Sequence, residues 1–221
     1  MDLGAETLSD TSLLVSHLAF WPLLIWVVLT APWRYLGEQN RLHVFLGSAV
    51  AQFLLWQIRA DIVGGVHLHL LGATVMTLMF GWRLATLGGC IALTLSTLAG
   101  RADWISFALN AWLTVVVPVA VSYRFARFVE HWLPNHFFVY VYMSAFAGGA
   151  LSMAGVGLLS TLLLRVTNVL SAGSATGQYF LPFVLFLFPE AFFSGALMTL
   201  MIVYRPNWVA SFDDRRYLYR K

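Results

Sequence analysis

Charge is what this chain has least of. Charged residues occupy 10% of its 221 positions, against about 25% in an ordinary soluble domain. A chain so poor in charge cannot clothe a water-facing surface. Cysteine is nearly absent as well. Cys90 stands alone, which excludes an intramolecular disulfide and any CxxC metal site. Within an apolar run it reads as a small buried residue. The sequence has no P-loop, no HExxH and no Ser/His/Asp arrangement. Neither an ATPase nor an intramembrane enzyme is therefore expected. The first residues carry Asp2, Glu6 and Asp10 and no basic n-region, so the first apolar run is expected to be a permanent helix. A net charge of +3 is too small to point to nucleic acid.

What the chain has instead is apolar length. Hydrophobic residues make up 60% of it, in runs close to the ~20 residues that cross ~30 Å of hydrocarbon. In lipid the backbone must satisfy its own hydrogen bonds, which leaves helices or a closed barrel. A barrel shows short alternating segments. These runs are long, continuous and rich in Leu, Val, Ala and Phe, so the expected fold is an all-α polytopic membrane bundle. Residues 1–221 are expected to form a single transmembrane domain. The pattern predicts about seven helices: Leu13 to Thr30, His43 to Ile58, Ile62 to Phe80, Leu84 to Leu98, Trp104 to Phe128, Phe137 to Val166, and Tyr179 to Tyr204. The last is interrupted at Pro189.

Basic residues then set orientation. With seven spans, Arg34, Arg41, Arg83, Arg124, Arg127, Arg205, Arg215, Arg216, Arg220 and Lys221 share one side. Only Arg59, Arg101 and Arg165 remain for the other. The N-terminus is expected outside and the C-terminus in the cytoplasm, in a bacterial inner membrane. Trp21, Trp33, Trp82, Trp104, Trp132 and Trp208 fall near helix ends, where the interface favours them. Trp56 and Trp112 fit that pattern less tightly.

The same topology sorts the six histidines. His43, His131 and His136 fall at cytoplasmic ends, whereas His17, His67 and His69 fall near the outer ends, with Asp61 and Asn110 on that side. Neutral imidazole is the commonest ligand for Zn, Cu, Ni and Co. Residues two apart point the same way in extended backbone, and Gly64-Gly65 permits an unwound segment there. His67 and His69 could then face one site, with His17 adding a third nitrogen. The plainer reading is that interfacial histidines hydrogen-bond to neighbouring helices or water. Glu190, directly after Pro189, is an acid deep in an apolar helix and so a gating or proton-relay candidate. The plainer reading pairs it with a polar partner such as Asn110, where it fixes packing. Ser144, Gly148 and Ser152 recur every four residues, a small-residue face for close helix approach.

Three segments resemble a known family. Gly65-Val66-His67-Leu68-His69-Leu70-Leu71-Gly72-Ala73 is similar to a G-x-G/S-H-L-L-G-G segment. Ala108-Leu109-Asn110-Ala111-Trp112 is similar to G-A-N-x-x-N-M, and Phe188-Pro189-Glu190-Ala191-Phe192-Phe193-Ser194-Gly195-Ala196 to P-E-A-x-x-x-G. In this order they resemble the CbiM/NikM family, the substrate-binding membrane subunits of energy-coupling-factor (ECF) cobalt and nickel transporters. The likeness is greatest to short proteobacterial members. The resemblance implies seven helices, an outward N-terminus and an outer metal site, with the family's His at His69 and its Asn at Asn110. It implies cobalt or nickel as substrate, with copper or zinc as alternatives and no organic cofactor. It also implies separate ATPase and scaffold subunits as partners, in a lipid membrane. Family members begin Met-His and bind metal through that start, whereas this chain begins Met1-Asp2. His67 and His17 are the natural replacements. Two other functions stay open from the sequence: a cobalamin or other micronutrient-binding subunit, and an accessory factor that hands metal to a respiratory complex.

Overall fold

The computed structural model describes residues 2–3, 10–38, 41–62, 66–167, 181–213 and 217, with the backbone alone for 2–3, 61–62 and 66–67. Its long helices are α1 (Asp10–Thr30), α4 (Ala73–Leu98), α5 (Phe107–Trp132), α6 (Phe137–Val166) and α7 (Leu181–Tyr204), all long and apolar enough to cross a bilayer. A short α2 (Trp33–Gly37) leads into the 15-residue apolar helix α3 (Arg41–Leu55). The fold is thus an all-α polytopic membrane bundle with one small exception. Strands β1 (Asp2–Leu3), β2 (Ala60–Ile62) and β3 (Val66–Leu68) form a sheet in the order β1-β3-β2.

That sheet corrects the third expected helix. The run from Ile62 to Phe80 is not helical throughout: it opens as β2 and β3, passes through an irregular 69–72 segment, and becomes helical only at Ala73. Residues 63–65, with the expected unwound Gly64-Gly65, lie outside the described residues. Both pairings are antiparallel. Asp2 and Leu3 face His67 and Val66 in register, and on the other side Ala60, Asp61 and Ile62 face Leu68, His67 and Val66. β-Branched residues such as Ile62 and Val66 are enriched in strands.

The third and fourth expected helices meet in α4, which is not straight. Gly81 has φ 77° and ψ 165°, a conformation open almost only to glycine. The limbs on either side, 73–80 and 82–98, fold back on one another. The Met76 side-chain terminus lies where a Cβ on Gly88 would stand, although a straight helix would separate these residues by about 18 Å. The break frees carbonyls at the end of the first limb, and the segment after α7 occupies them. Ala210 N–H donates to Met79 O at 3.0 Å, Ser211 N–H to Leu78 O at 3.2 Å, and Ser211 Oγ to the same oxygen at 2.7 Å.

Around α4 the other helices close a core that includes Leu78, Met79, Leu84 and Leu93. Thr74 of α4 hydrogen-bonds Ser122 Oγ of α5 at 2.7 Å and donates to Ser152 Oγ of α6 at 3.3 Å. α6 and α7 pack closely because small residues permit it. A Cβ on Gly149 would stand 2.9 Å from Glu190 O, and one on Gly157 2.9 Å from the Phe183 ring. The small face of α6 therefore packs inside the bundle. Outward, Leu14, Leu18, Ile25 and Leu29 form an exposed stripe along α1, which in a bilayer meets lipid rather than water.

Candidate functional site

Segment 69–72 joins β3 to α4 and lies inside protein: His69, Leu71 and Leu68 are fully buried. Irregular backbone at such depth must find every partner within the protein. It does so at the peptide groups of Leu71 and Gly72. Glu190, fully buried on α7, accepts from Leu71 N–H through Oε2 at 2.7 Å and from Gly72 N–H through Oε1 at 2.9 Å. These amides lie at the start of α4, where orphan donors and the helix dipole both favour a carboxyl group. From the other side α3 reaches the Leu71 carbonyl. Gln52 Nε2 donates to it at 2.9 Å and Trp56 Nε1 at 3.0 Å. One peptide unit, Leu71–Gly72, is thus gripped at both edges, from two helices remote in sequence.

The imidazole of His69 stands beside this grip. Its ring lies 5.0 Å from the Trp56 ring, tilted by 38°. Its Nδ1 is 3.1 Å from Leu70 O. A carbonyl oxygen only accepts, so Nδ1 carries the proton and the lone pair is on Nε2. Metal-ligating histidines have this arrangement, with the second nitrogen donating to a carbonyl or carboxylate.

The other expected residues divide into two groups. His67 lies on β3 between Asp2 and Asp61 in register, two residues before His69; the side chains of His67 and Asp61 lie outside the described residues. Asn110 is fully buried in the first turn of α5, next to β1. Its Nδ2 donates to Ser106 Oγ at 3.1 Å, and a π-helical stretch, Trp112–Val116, follows it. His17, by contrast, is occupied on α1. Trp21 Nε1 donates to its Nδ1 at 3.2 Å, so Nε2 carries the proton and donates to Ile105 O at 3.0 Å. A metal at His17 would have to break one of these bonds. Glu190 pairs with backbone amides rather than with the polar side chain expected of it. Among the described residues no three His, Cys, Asp or Glu side chains form a metal cluster.

Sequence reasoning did not select Gln52 or Trp56. The signal was present: two N–H-bearing side chains four residues apart stand on one helix face, and Trp56 fitted poorly as an interfacial residue. Trp112 behaves the same way, donating to Ser16 O at 3.3 Å inside the bundle.

An apolar bundle that carries a buried histidine on a backbone-gripped segment has the make-up of a membrane transport subunit. The profile of the family CbiM, described as the cobalt uptake substrate-specific transmembrane region, matches residues 4–208. The chain belongs to this family of substrate-binding membrane subunits of ECF-type transition-metal transporters, and is a transport subunit rather than an enzyme. No curated protein matches it in sequence. Solved structures share its fold, among them two crystal structures. One, a crystal structure of a truncated transition metal transporter, has a TM-score of 0.78 at 17% identity over 92% of this chain and 99% of that one. The other, a crystal structure of a transition metal transporter, has a TM-score of 0.77 at 18% identity over 91% and 92%.

Proposed function

We propose that this subunit captures a divalent cobalt or nickel ion at the segment from His67 to Gly72, with His69 Nε2 as a principal ligand. His67 lies one pleat away, with Asp61 beside it in register. Asn110 and Glu190 hold the surroundings, and His17 ties α1 to the 101–106 connection. The observation that carries this reading is the buried His69, whose Nδ1 is committed to Leu70 O so that Nε2 holds the lone pair. Copper and zinc are tolerated by the same donor, since imidazole suits all four metals.

We also propose that the chain crosses the membrane seven times. The fold-back at Gly81 supports two crossings within Ala73–Leu98, which with α1, α3, α5, α6 and α7 makes seven. Ten of the thirteen Lys and Arg then lie with the C-terminus in the cytoplasm, and the metal site opens outward. The first limb, 73–80, spans only about 12 Å. The sheet and the gripped segment complete that crossing within protein, as irregular membrane backbone must. Separate ATPase and scaffold subunits supply the energy. We further propose that the chain groups with the short proteobacterial members of the family.

Equilibrium dialysis of the full chain in detergent, without a polyhistidine tag, tests the assignment. The wild type is expected to bind Co2+ or Ni2+, and His69→Ala to lose that binding. Metal binding unchanged by His69→Ala overturns it.

A further inference from the structure

We propose that Gln52 and Trp56, at the end of α3, are positioning residues that set the orientation of the His69 imidazole and hence its metal affinity; this rests on the reading of His69 as a ligand. Three observations converge. First, both side chains donate to the same acceptor, Leu71 O, at 2.9 and 3.0 Å, using its two lone pairs. Leu71 follows His69 by two residues, so the carbonyl they hold fixes the backbone from which the imidazole projects. Second, Trp56 has a second role, since its ring lies 5.0 Å from the His69 ring. The same side chain thus restrains the backbone beyond the histidine and the plane of the histidine itself. Third, Gln52 pays for its place. Nε2 must face the carbonyl, and this leaves Oε1 buried with no hydrogen-bond partner among the described residues. Gln52 is 5% exposed, and a buried unsatisfied acceptor is destabilising. An apolar side chain at 52 would avoid that cost. A residue that strains the core to hold one carbonyl fits a demand for geometry better than a demand for stability.

The arrangement also has the right mechanical form. Glu190 accepts from α7 the N–H of that same peptide unit, which is the Gly72 N–H, so the plane of the Leu71–Gly72 peptide is set from both edges. A ligand supported this way loses little freedom when the metal arrives. The support comes from α3 and α7, neither of which carries His67 or His69.

Co2+ is the probe, because its visible d–d bands report ligand geometry as well as occupancy. The full chain in detergent is titrated as wild type, Trp56→Phe, Gln52→Leu and His69→Ala, with melting temperatures recorded for each metal-free protein. Trp56→Phe keeps an aromatic ring and removes the donor; Gln52→Leu keeps volume and removes the other donor. Each is expected to weaken Co2+ binding by about 10- to 100-fold, the range for outer-shell partners of metal ligands, and to move the bands at saturating Co2+. Gln52→Leu is expected to leave the metal-free melting temperature unchanged or raised, which a purely structural residue would not do. If His69→Ala abolishes binding but both variants keep wild-type affinity and bands, the positioning role is overturned and the metal reading stands. A loss of affinity that only follows a lower melting temperature, with unchanged bands, also overturns the positioning role. Should Trp56→Phe fail to fold, Gln52→Leu decides alone. Binding indifferent to His69→Ala, or absent from the wild type, overturns both.

Discussion

A carboxyl group that accepts two backbone N–H bonds offers something glutamine cannot reproduce. Glu190 uses Oε1 and Oε2 separately, one for Gly72 and one for Leu71. Glu190→Gln keeps the shape but sets an NH2 against one of those donors. A buried N–H left unpaired costs about 1–3 kcal/mol, so the melting temperature of Glu190→Gln should fall clearly below wild type, and that of Glu190→Ala further still. If Glu190 were a proton relay with no structural duty, Gln would leave stability unchanged. Much at this scale was legible in advance. An acid after Pro189 in an apolar helix could be marked as consequential because such groups are costly in lipid. Its partner could not, since backbone amides of residues 71 and 72 carry no letter in the sequence. His17 shows the reverse: its depth suggested a ligand, and only coordinates reveal that Trp21 and Ile105 use both of its nitrogens.

Gly81 carries the comparable argument for elements. In the interior of a straight helix, replacing glycine by alanine stabilises by about 0.5–1 kcal/mol. Here φ is 77° and ψ 165°, and among the described residues no atom beyond the adjoining backbone lies within 4 Å of where a Cβ would stand. The alanine would meet no clash, only a backbone conformation closed to it, at a cost of order 1–3 kcal/mol. The sign of the change decides between the two: Gly81→Ala should lower the melting temperature, and a rise would mean that α4 runs straight. Hydrophobic runs had placed a boundary between Phe80 and Leu84, and the break falls there. The same runs misread residues 62 and 66–72. Apolar length argues for helix, and Gly64-Gly65 reads only as permitting an unwound segment, although a Gly-Gly pair between β-branched residues is also a hairpin signal. β1 was less legible still. Two residues, Asp2 and Leu3, join the sheet edge, and a strand so short has no period to read.

The whole molecule has two distinct ends, and side-chain contacts tie each together. At one end Arg59 Nη1 donates to Arg101 O at 2.9 Å, and His17 holds Ile105. At the other, Ser211 meets Leu78 and the Tyr140 hydroxyl, the latter at 2.6 Å, just before Gly81. Composition alone made the membrane class legible, because 10% charge leaves no alternative surface. Charge asymmetry also grouped Arg59 with Arg101 before any contact was known. A bundle in which one buried cysteine is native lends itself to a direct test of sidedness. In a Cys90→Ala background, a cysteine at exposed Arg101 should react in intact cells with a membrane-impermeant maleimide, while one at exposed Asn207 should react only after permeabilisation. The opposite pattern would turn the gripped segment toward the cytoplasm. Residues 69–72 would then receive metal from the wrong compartment for uptake. The bias of ten basic residues against three therefore bears on the proposed function, because orientation decides whether His69, as the proposed ligand, would face the metal before or after it crosses the membrane.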